Sequence, residues 1–232
     1  MKNIGLIGGM SWESTAIYYQ GINKGIAHRL GGLNSAQITL RSLNFSEIAE
    51  LQSQEKWSEI ADMVSQAALA IERAGADMVL ITTNTIHKIA NEITRNLSIP
   101  LVNIIDATAE SLIQDRIETV GLLGTRFTME QSFYKEKLKK EYGINVVVPE
   151  CDDRERIHRI IFQELCLGDI RPASREAYLA IMQTMALKGA QGIVLGCTEI
   201  PMLIHQTHFH LPIYDTTRIH IEKAIQLALS DQ

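Results

Sequence analysis

Two short segments carry the residue types best suited to chemistry. Thr83-Asn84-Thr85 follows the apolar run Met78–Thr82, and Cys197-Thr198-Glu199 follows Gly192–Leu195. Small polar residues where a strand turns into a helix have two uses. They cap the helix, at roughly 1 kcal/mol each, or they line a site, because ligands of open α/β sheets bind at the carboxyl ends of strands. A cysteine at a helix N-terminus has its thiolate stabilised by the dipole. From a reference pKa of about 8.5, forming that thiolate at neutral pH costs only about 2 kcal/mol. Cys197 is therefore expected to be an available base or nucleophile. Cys151 and Cys166 are expected to pack as small hydrophobes.

The glycine cluster Gly5-Leu6-Ile7-Gly8-Gly9-Met10-Ser11 lacks the spacing of a dinucleotide fingerprint and the lysine of a P-loop. It reads either as a tight strand-to-helix turn or as a cradle for a small anion at a helix N-terminus. Thr125 closes the equivalent turn in the second half. His87, one turn after Thr83, is expected on a helix surface, with a site contact as the alternative. Lys135, Lys137, Lys139 and Lys140, with Glu136 and Glu141, read as a solvated helix face. His205, His208 and His210 lack acidic or cysteine partners in sequence, so no metal is expected.

Two protic groups that meet from opposite sides, beside an anion cradle, suit one reaction type. Inverting a carbon that bears an acidic hydrogen requires proton removal on one face and delivery on the other. No lysine stands out for a pyridoxal Schiff base. Positioned N–H donors would then stabilise the developing enolate.

The elements that must position these residues alternate. Strands are expected at Asn3–Ile7, Ala36–Leu43, Met78–Thr82, Leu101–Ile104, Thr119–Leu123, Asn145–Val148, Gly192–Leu195 and Pro212–Tyr214. Helices are expected around Ser14–Leu30, Trp57–Ala74, Thr85–Leu97, Asp106–Gln114, Thr128–Tyr142, Asp153–Glu164, Ser174–Lys188 and Ile219–Ser230. Continuous β-branched runs fit parallel strands buried on both faces. The chain also repeats itself. Ile4–Gly9 matches Val120–Thr125, Gly75–Thr85 matches Gly189–Glu199, and Ile99–Val102 matches Leu211–Tyr214, in the same order and at nearly one offset. Such a period is a duplicated domain. The expected architecture is α/β: two pseudo-symmetric, doubly wound and mainly parallel halves with the active site in the cleft between them.

Composition closes other routes. The 232 residues are 46% hydrophobic with a net charge of −5, which offers nothing to phosphate backbones or anionic lipid. No apolar run approaches the roughly 20 residues that span a bilayer. The N-terminus reads as a buried strand, not a signal peptide. Three scattered cysteines fit a reducing, cytoplasmic setting.

Gly8-Gly9-Met10-Ser11-Trp12-Glu13-Ser14-Thr15, Leu123–Glu130, Thr83-Asn84-Thr85-Ile86-His87-Lys88 and Gly196-Cys197-Thr198-Glu199 resemble the aspartate/glutamate racemase family, nearest its bacterial amino-acid racemases with threonine at the first catalytic position. The resemblance implies two flavodoxin-like domains with the C-terminal helix packing back on the first, so that the first comprises 1–115 plus 213–232 and the second 116–212. It also implies pyridoxal-independent two-base racemisation without a cofactor, a small amino-acid substrate and a homodimer. It places the acid/base groups on Thr83 and Cys197. Asn84, Thr85, Thr125 and Thr198 would hold the substrate's α-carboxylate and amine, with Met10 lining the site.

Two departures shape the expectation. Thr83 stands where the family usually has cysteine, so rates from the two enantiomers should differ. The arginine that aspartate-specific members carry after the second strand is absent from Leu43–Gln52. The family's second-half lysine gives way to Leu165-Cys166-Leu167. Gln52 and Cys166 then suit neutral side chains such as homoserine's beside aspartate and glutamate. Maleate isomerase or decarboxylase chemistry, or a catalytically inactive amino-acid-binding protein, are the alternatives.

Overall fold

The computed structural model describes residues 1–230. The chain divides into two units: Met1–Ile104 with the chain from His220 onward, and Ile105–Ile219. Unit 1 contains β1 (Ile4–Gly8), α1 (Trp12–Leu30), β2 (Ile38–Ser42), α2 (Phe45–Ser53), α3 (Trp57–Arg73) and β3 (Met78–Ile81). A 3-10 turn (Thr85–Ile89), α4 (Ala90–Thr94) and β4 (Leu101–Val102) follow. The chain continues through α5 (Ile104–Gln114), β5 (Thr119–Gly124), α6 (Arg126–Glu130), α7 (Ser132–Tyr142), β6 (Asn145–Val147) and α8 (Cys151–Gln163). It ends with α9 (Pro172–Leu187), β7 (Ile193–Gly196), β8 (Ile213–Asp215) and α10 (Thr216–Leu229).

Each unit holds one four-stranded sheet, ordered β2-β1-β3-β4 and β6-β5-β7-β8, with every pairing parallel. The sequence repeat is thus a repeat of topology. Each sheet sets its first strand between its second and third, and the order in which strands are added reverses between the first and third. Ligand crevices in such sheets open at the carboxyl ends of those two strands.

Side-chain alternation explains the continuous apolar runs. Ile4, Leu6, Met78 and Leu80 face α1 through Tyr18, Ile22 and Ile26. Ile7, Val79 and Ile81 face α3 through Ile60, Val64, Ala67 and Ile71. In unit 2, Leu123, Ile193 and Leu195 pack with Ile157, Ile160 and Ile161 of α8 and Tyr178, Ile181 and Met185 of α9. Each fully buried aliphatic side chain contributes roughly 1.5–3 kcal/mol.

Several elements differ from expectation. The helix expected at Thr85–Leu97 is a 3-10 turn followed by the short α4. β-branched Thr85, Ile86 and Ile89 are weak helix formers, and His87 N–H bonds back three residues to Asn84 O at 3.1 Å. The helix expected at Thr128–Tyr142 is split at Gln131, whose ψ of 154° is extended. Helix α2 is absent from the expected set. Asn44 caps it, accepting from Ser46 N–H and donating to Glu47 Oε1 at 2.9 Å. The expected boundaries at 115/116 and 212/213 also shift. α5 from Ile105 onward falls in unit 2, where Asp106 accepts from Tyr142 Oη and Asp115 from Tyr214 Oη, both at 2.8 Å. β8 pairs with β7, which puts 213–219 in the second unit.

Candidate active site

In unit 1 a buried hydroxyl network fixes the two strand ends at the switch point. Thr15 Oγ1 accepts from Gly9 N–H at 2.8 Å and donates to Ser11 O at 2.9 Å. Ser14 Oγ donates to Thr82 O at 2.7 Å, and Thr82 Oγ1 donates to Ile7 O at 3.2 Å. Ser11 caps α1, its Oγ accepting from Ser14 N–H at 3.2 Å. Gly9 has φ +88°, and a Cβ there would lie 2.0 Å from Leu43 O. Only glycine makes this turn.

Thr83 follows this stitched end of β3 and is half-buried. Its carbonyl accepts from His87 Nδ1 at 2.8 Å. Asn84 and Thr85 are buried, and the 3-10 turn that they open has no side-chain cap. The expected capping role is therefore not what keeps these residues here. Met10 is buried in one cluster with Ile81, Ile86 and Ile48 of α2. Gln52, one turn beyond Ile48, is buried as well. Met10 thus follows the end of β1, and Thr83, Asn84 and Thr85 follow the end of β3, whereas Gln52 is placed only in the buried face of α2. His87, expected on the surface, is only 4% exposed.

Unit 2 repeats the arrangement with different chemistry. Thr125 follows β5, is half-buried, and caps α6 by accepting from Thr128 N–H at 3.4 Å. Gly196 precedes Cys197, and a Cβ on it would lie 3.0 Å from Leu123 O. Cys197 is buried in the core cluster with Leu165, Tyr178, Leu195 and Ile200. Cys166, in the 3-10 turn Leu165–Leu167, is half-buried and packs against the same cluster. Thr216 Oγ1 donates to Leu195 O at 2.8 Å and anchors the end of β7.

A group whose role the sequence left unassigned completes the second half. Cys197 Sγ donates to Glu199 Oε2 at 3.0 Å, and Thr198 Oγ1 donates to the same oxygen at 2.7 Å. Glu199 is itself buried. The signal was an acid two residues beyond the cysteine in a tight turn, where both side chains reach one side. The thiol pKa is raised, first by burial and then by the Glu199 charge. This corrects the expected dipole-stabilised thiolate. The segment after Cys197 forms only the three-residue 3-10 turn Ile200–Met202, too short to supply a macrodipole. Cys197 therefore rests protonated, with a carboxylate placed to take its proton.

The repeat aligns Thr83 with Cys197 and Thr85 with Glu199. An acid at this position of the repeat exists in one half only. Among the described residues no cluster of three or more His, Cys, Asp or Glu side chains could hold a metal ion. No helix there is long and apolar enough to cross a membrane.

The sequence profile of the Asp/Glu/Hydantoin racemase family matches residues 7–224. The chain is 47% identical to a candidate Asp/Glu racemase from Yersinia pestis, with a TM-score of 0.94 over 99% of this chain and 100% of that one. It is 36% identical to an aspartate racemase homologue from Pyrococcus horikoshii OT3, with a TM-score of 0.86 over 98% and 99% of the two chains. Among curated proteins it is 23% identical to a broad specificity amino-acid racemase of Bacillus subtilis, over 75% of this chain and 74% of that protein. Its match to the glutamate racemase of Hydrogenobaculum sp. spans 58% of that protein's length. The chain belongs to the Asp/Glu/Hydantoin racemase family and is an isomerase of the racemase type.

Proposed function

We propose that this protein is a cofactor-independent amino-acid racemase in which Thr83 and Cys197 exchange protons with the substrate's α-carbon. One observation carries the reading. The third strand of each sheet ends on a protic side chain at the same topological position, and Cys197 has the Glu199 carboxylate in hydrogen-bond contact.

The two groups are unequal. As the substrate's ammonium group enters, the Cys197 proton passes to Glu199 and the thiolate takes the α-hydrogen. A threonine hydroxyl is a poor base, but it gives a proton readily to an α-carbanion, and solvent then restores it. The enantiomer whose α-hydrogen meets Cys197 is thus the better substrate. Asn84, Thr85 and Thr125 hold the α-carboxylate and amine. The Thr198 hydroxyl is committed to Glu199, so Thr198 contributes to binding through its main chain.

Side-chain selection rests on Gln52 and Cys166, which are neutral. A buried second carboxylate without a cation beside it is costly. The substrate range therefore extends from aspartate and glutamate to neutral polar amino acids such as homoserine. The protein works as a homodimer in the reducing cytoplasm, consistent with three unbridged thiols.

A panel of L- and D-amino acids, followed by circular dichroism without added pyridoxal phosphate, tests this reading. Inversion that is faster from one enantiomer and extends to homoserine supports it. Strict dicarboxylate specificity removes the side-chain assignment. Binding of amino acids without inversion replaces the racemase with a capture protein. Sedimentation velocity decides the dimer.

A further inference from the structure

Behind Thr83 lies a buried pair of imidazoles that the proton-transfer chemistry does not use. His87 is 4% exposed and His220 is fully buried. Their rings meet edge to face, with centroids 5.9 Å apart. Each makes two hydrogen bonds that fix where its proton sits. His87 Nδ1 faces Thr83 O at 2.8 Å, and a carbonyl only accepts. His87 Nε2 receives Ile104 N–H at 3.2 Å, and a backbone amide only donates. His87 is therefore neutral, protonated on Nδ1 and bare on Nε2. His220 has the opposite form. Its Nε2 donates to Val102 O at 2.8 Å, which leaves Nδ1 to accept from Tyr18 Oη at 2.8 Å.

We infer that His87 is a positioning residue for Thr83, acting as a clamp between the Thr83 carbonyl and the Ile104 amide. The physical reason is the planarity of the peptide unit. Holding the Thr83 carbonyl toward His87 turns the Asn84 N–H to the opposite side and fixes the backbone from which the Thr83 hydroxyl projects. The strand end before Thr83 is already tied by Ser14, Thr15 and Thr82. His87 ties the peptide after it. Ile104 is the last residue of the first segment of unit 1, so the clamp joins the proton-transfer loop to the chain that leaves β4 within that unit. A second proton on His87 would aim Nε2–H at Ile104 N–H, so the clamp exists only in the neutral form. His220 backs the ring edge-on, and Tyr18 holds it there. The catalytic consequence rests on the proposed role of Thr83; the clamp itself does not.

Two measurements test the inference. Long-range nitrogen–proton NMR on the unaltered protein at neutral pH reports each imidazole's tautomer. The expected result is Nδ1–H for His87 and Nε2–H for His220. A His87 protonated on Nε2, or averaging between forms, overturns the clamp without reference to activity. The second measurement separates the two hydrogen bonds. The amide nitrogen of His87→Asn falls near Nδ1 and still donates to Thr83 O. The amide oxygen of His87→Gln falls near Nε2 and still accepts from Ile104 N–H. In heavy water, the ratio of inversion to α-hydrogen exchange isolates the Thr83 step, because Cys197 alone can remove and return a proton. His87→Gln should lower that ratio by about tenfold or more, and His87→Asn should recover most of it. Equal ratios in both variants and the wild type overturn the inference. Absence of exchange in the wild type instead defeats the racemase reading, and the tautomers then decide the clamp.

Discussion

Cys197 Sγ lies 3.0 Å from Glu199 Oε2, close enough for the thiol to donate to the carboxylate. The acid does two opposed things. It raises the thiol pKa at rest, after burial the largest cause, and in the proposed mechanism it accepts the proton when the thiol ionises. Glu199→Gln removes the charge and keeps a neutral acceptor. Cys197 should then react with iodoacetamide at lower pH, its labelling profile moving down. Racemisation should fall at the same time. A labelling profile that stays in place would show that burial alone sets the thiol.

Thr83→Cys restores a stronger acid and base at the position that the repeat aligns with Cys197. The slower direction of racemisation should rise, and the two enantiomers' rates should approach each other. Initial rates from each pure enantiomer measure this. An unchanged ratio would mean that Thr83 does not set the asymmetry.

Gln52→Arg places a cation where α2 borders the cluster around Met10. Pairing an arginine with the distal carboxylate should raise kcat/KM for aspartate relative to homoserine by about tenfold, as a charged hydrogen bond is worth roughly 1.5–3 kcal/mol. Loss of activity on both substrates alike would place Gln52 outside the side-chain pocket.

His220 links the fold to pH. Burial, followed by repulsion from His87 once acid protonates that ring too, brings its pKa from 6.5 down to about 3. The unfolded chain binds this proton first, so the stability is complete above pH 6.5 and is lost as pH falls toward about 3. Over that window the loss approaches about 1.4 kcal/mol per pH unit. His220→Gln keeps a donor for Val102 O and cannot titrate. Urea unfolding from neutral to acid pH should show a flatter dependence in the variant, and parallel curves would contradict the assignment.

Much of this was legible in the sequence. Unbroken apolar runs such as Ile4–Ile7 and Ile193–Leu195 declared parallel strands buried on both faces, and the repeated Gly-rich turns declared a duplicated sheet. Cys197 and Thr83 stood out because each follows such a run. What was not legible depended on burial and on short-range geometry. His87 read as a surface residue because helical spacing was assumed, whereas the 3-10 turn carries it inward onto the Thr83 carbonyl. Cys197 read as thiolate-prone because a helix was expected after it. The chain makes one short turn there, and a buried carboxylate reverses the electrostatics. Helix α2 lies outside the expected elements although Asn44 and Glu47 carry a capping signature, because its nine residues offer only a short apolar period.

Proton NMR in heavy water tests the central claim most directly, with L- and D-substrate supplied separately to the wild type, Thr83→Ala and Cys197→Ala. Deuterium should enter the α-position in the wild type with inversion. Thr83→Ala should still exchange the enantiomer facing Cys197 while losing inversion, and Cys197→Ala should lose exchange from that enantiomer by about a hundredfold or more. Inversion that persists in both variants would contradict the assignment of Thr83 and Cys197 as the two proton-transfer groups.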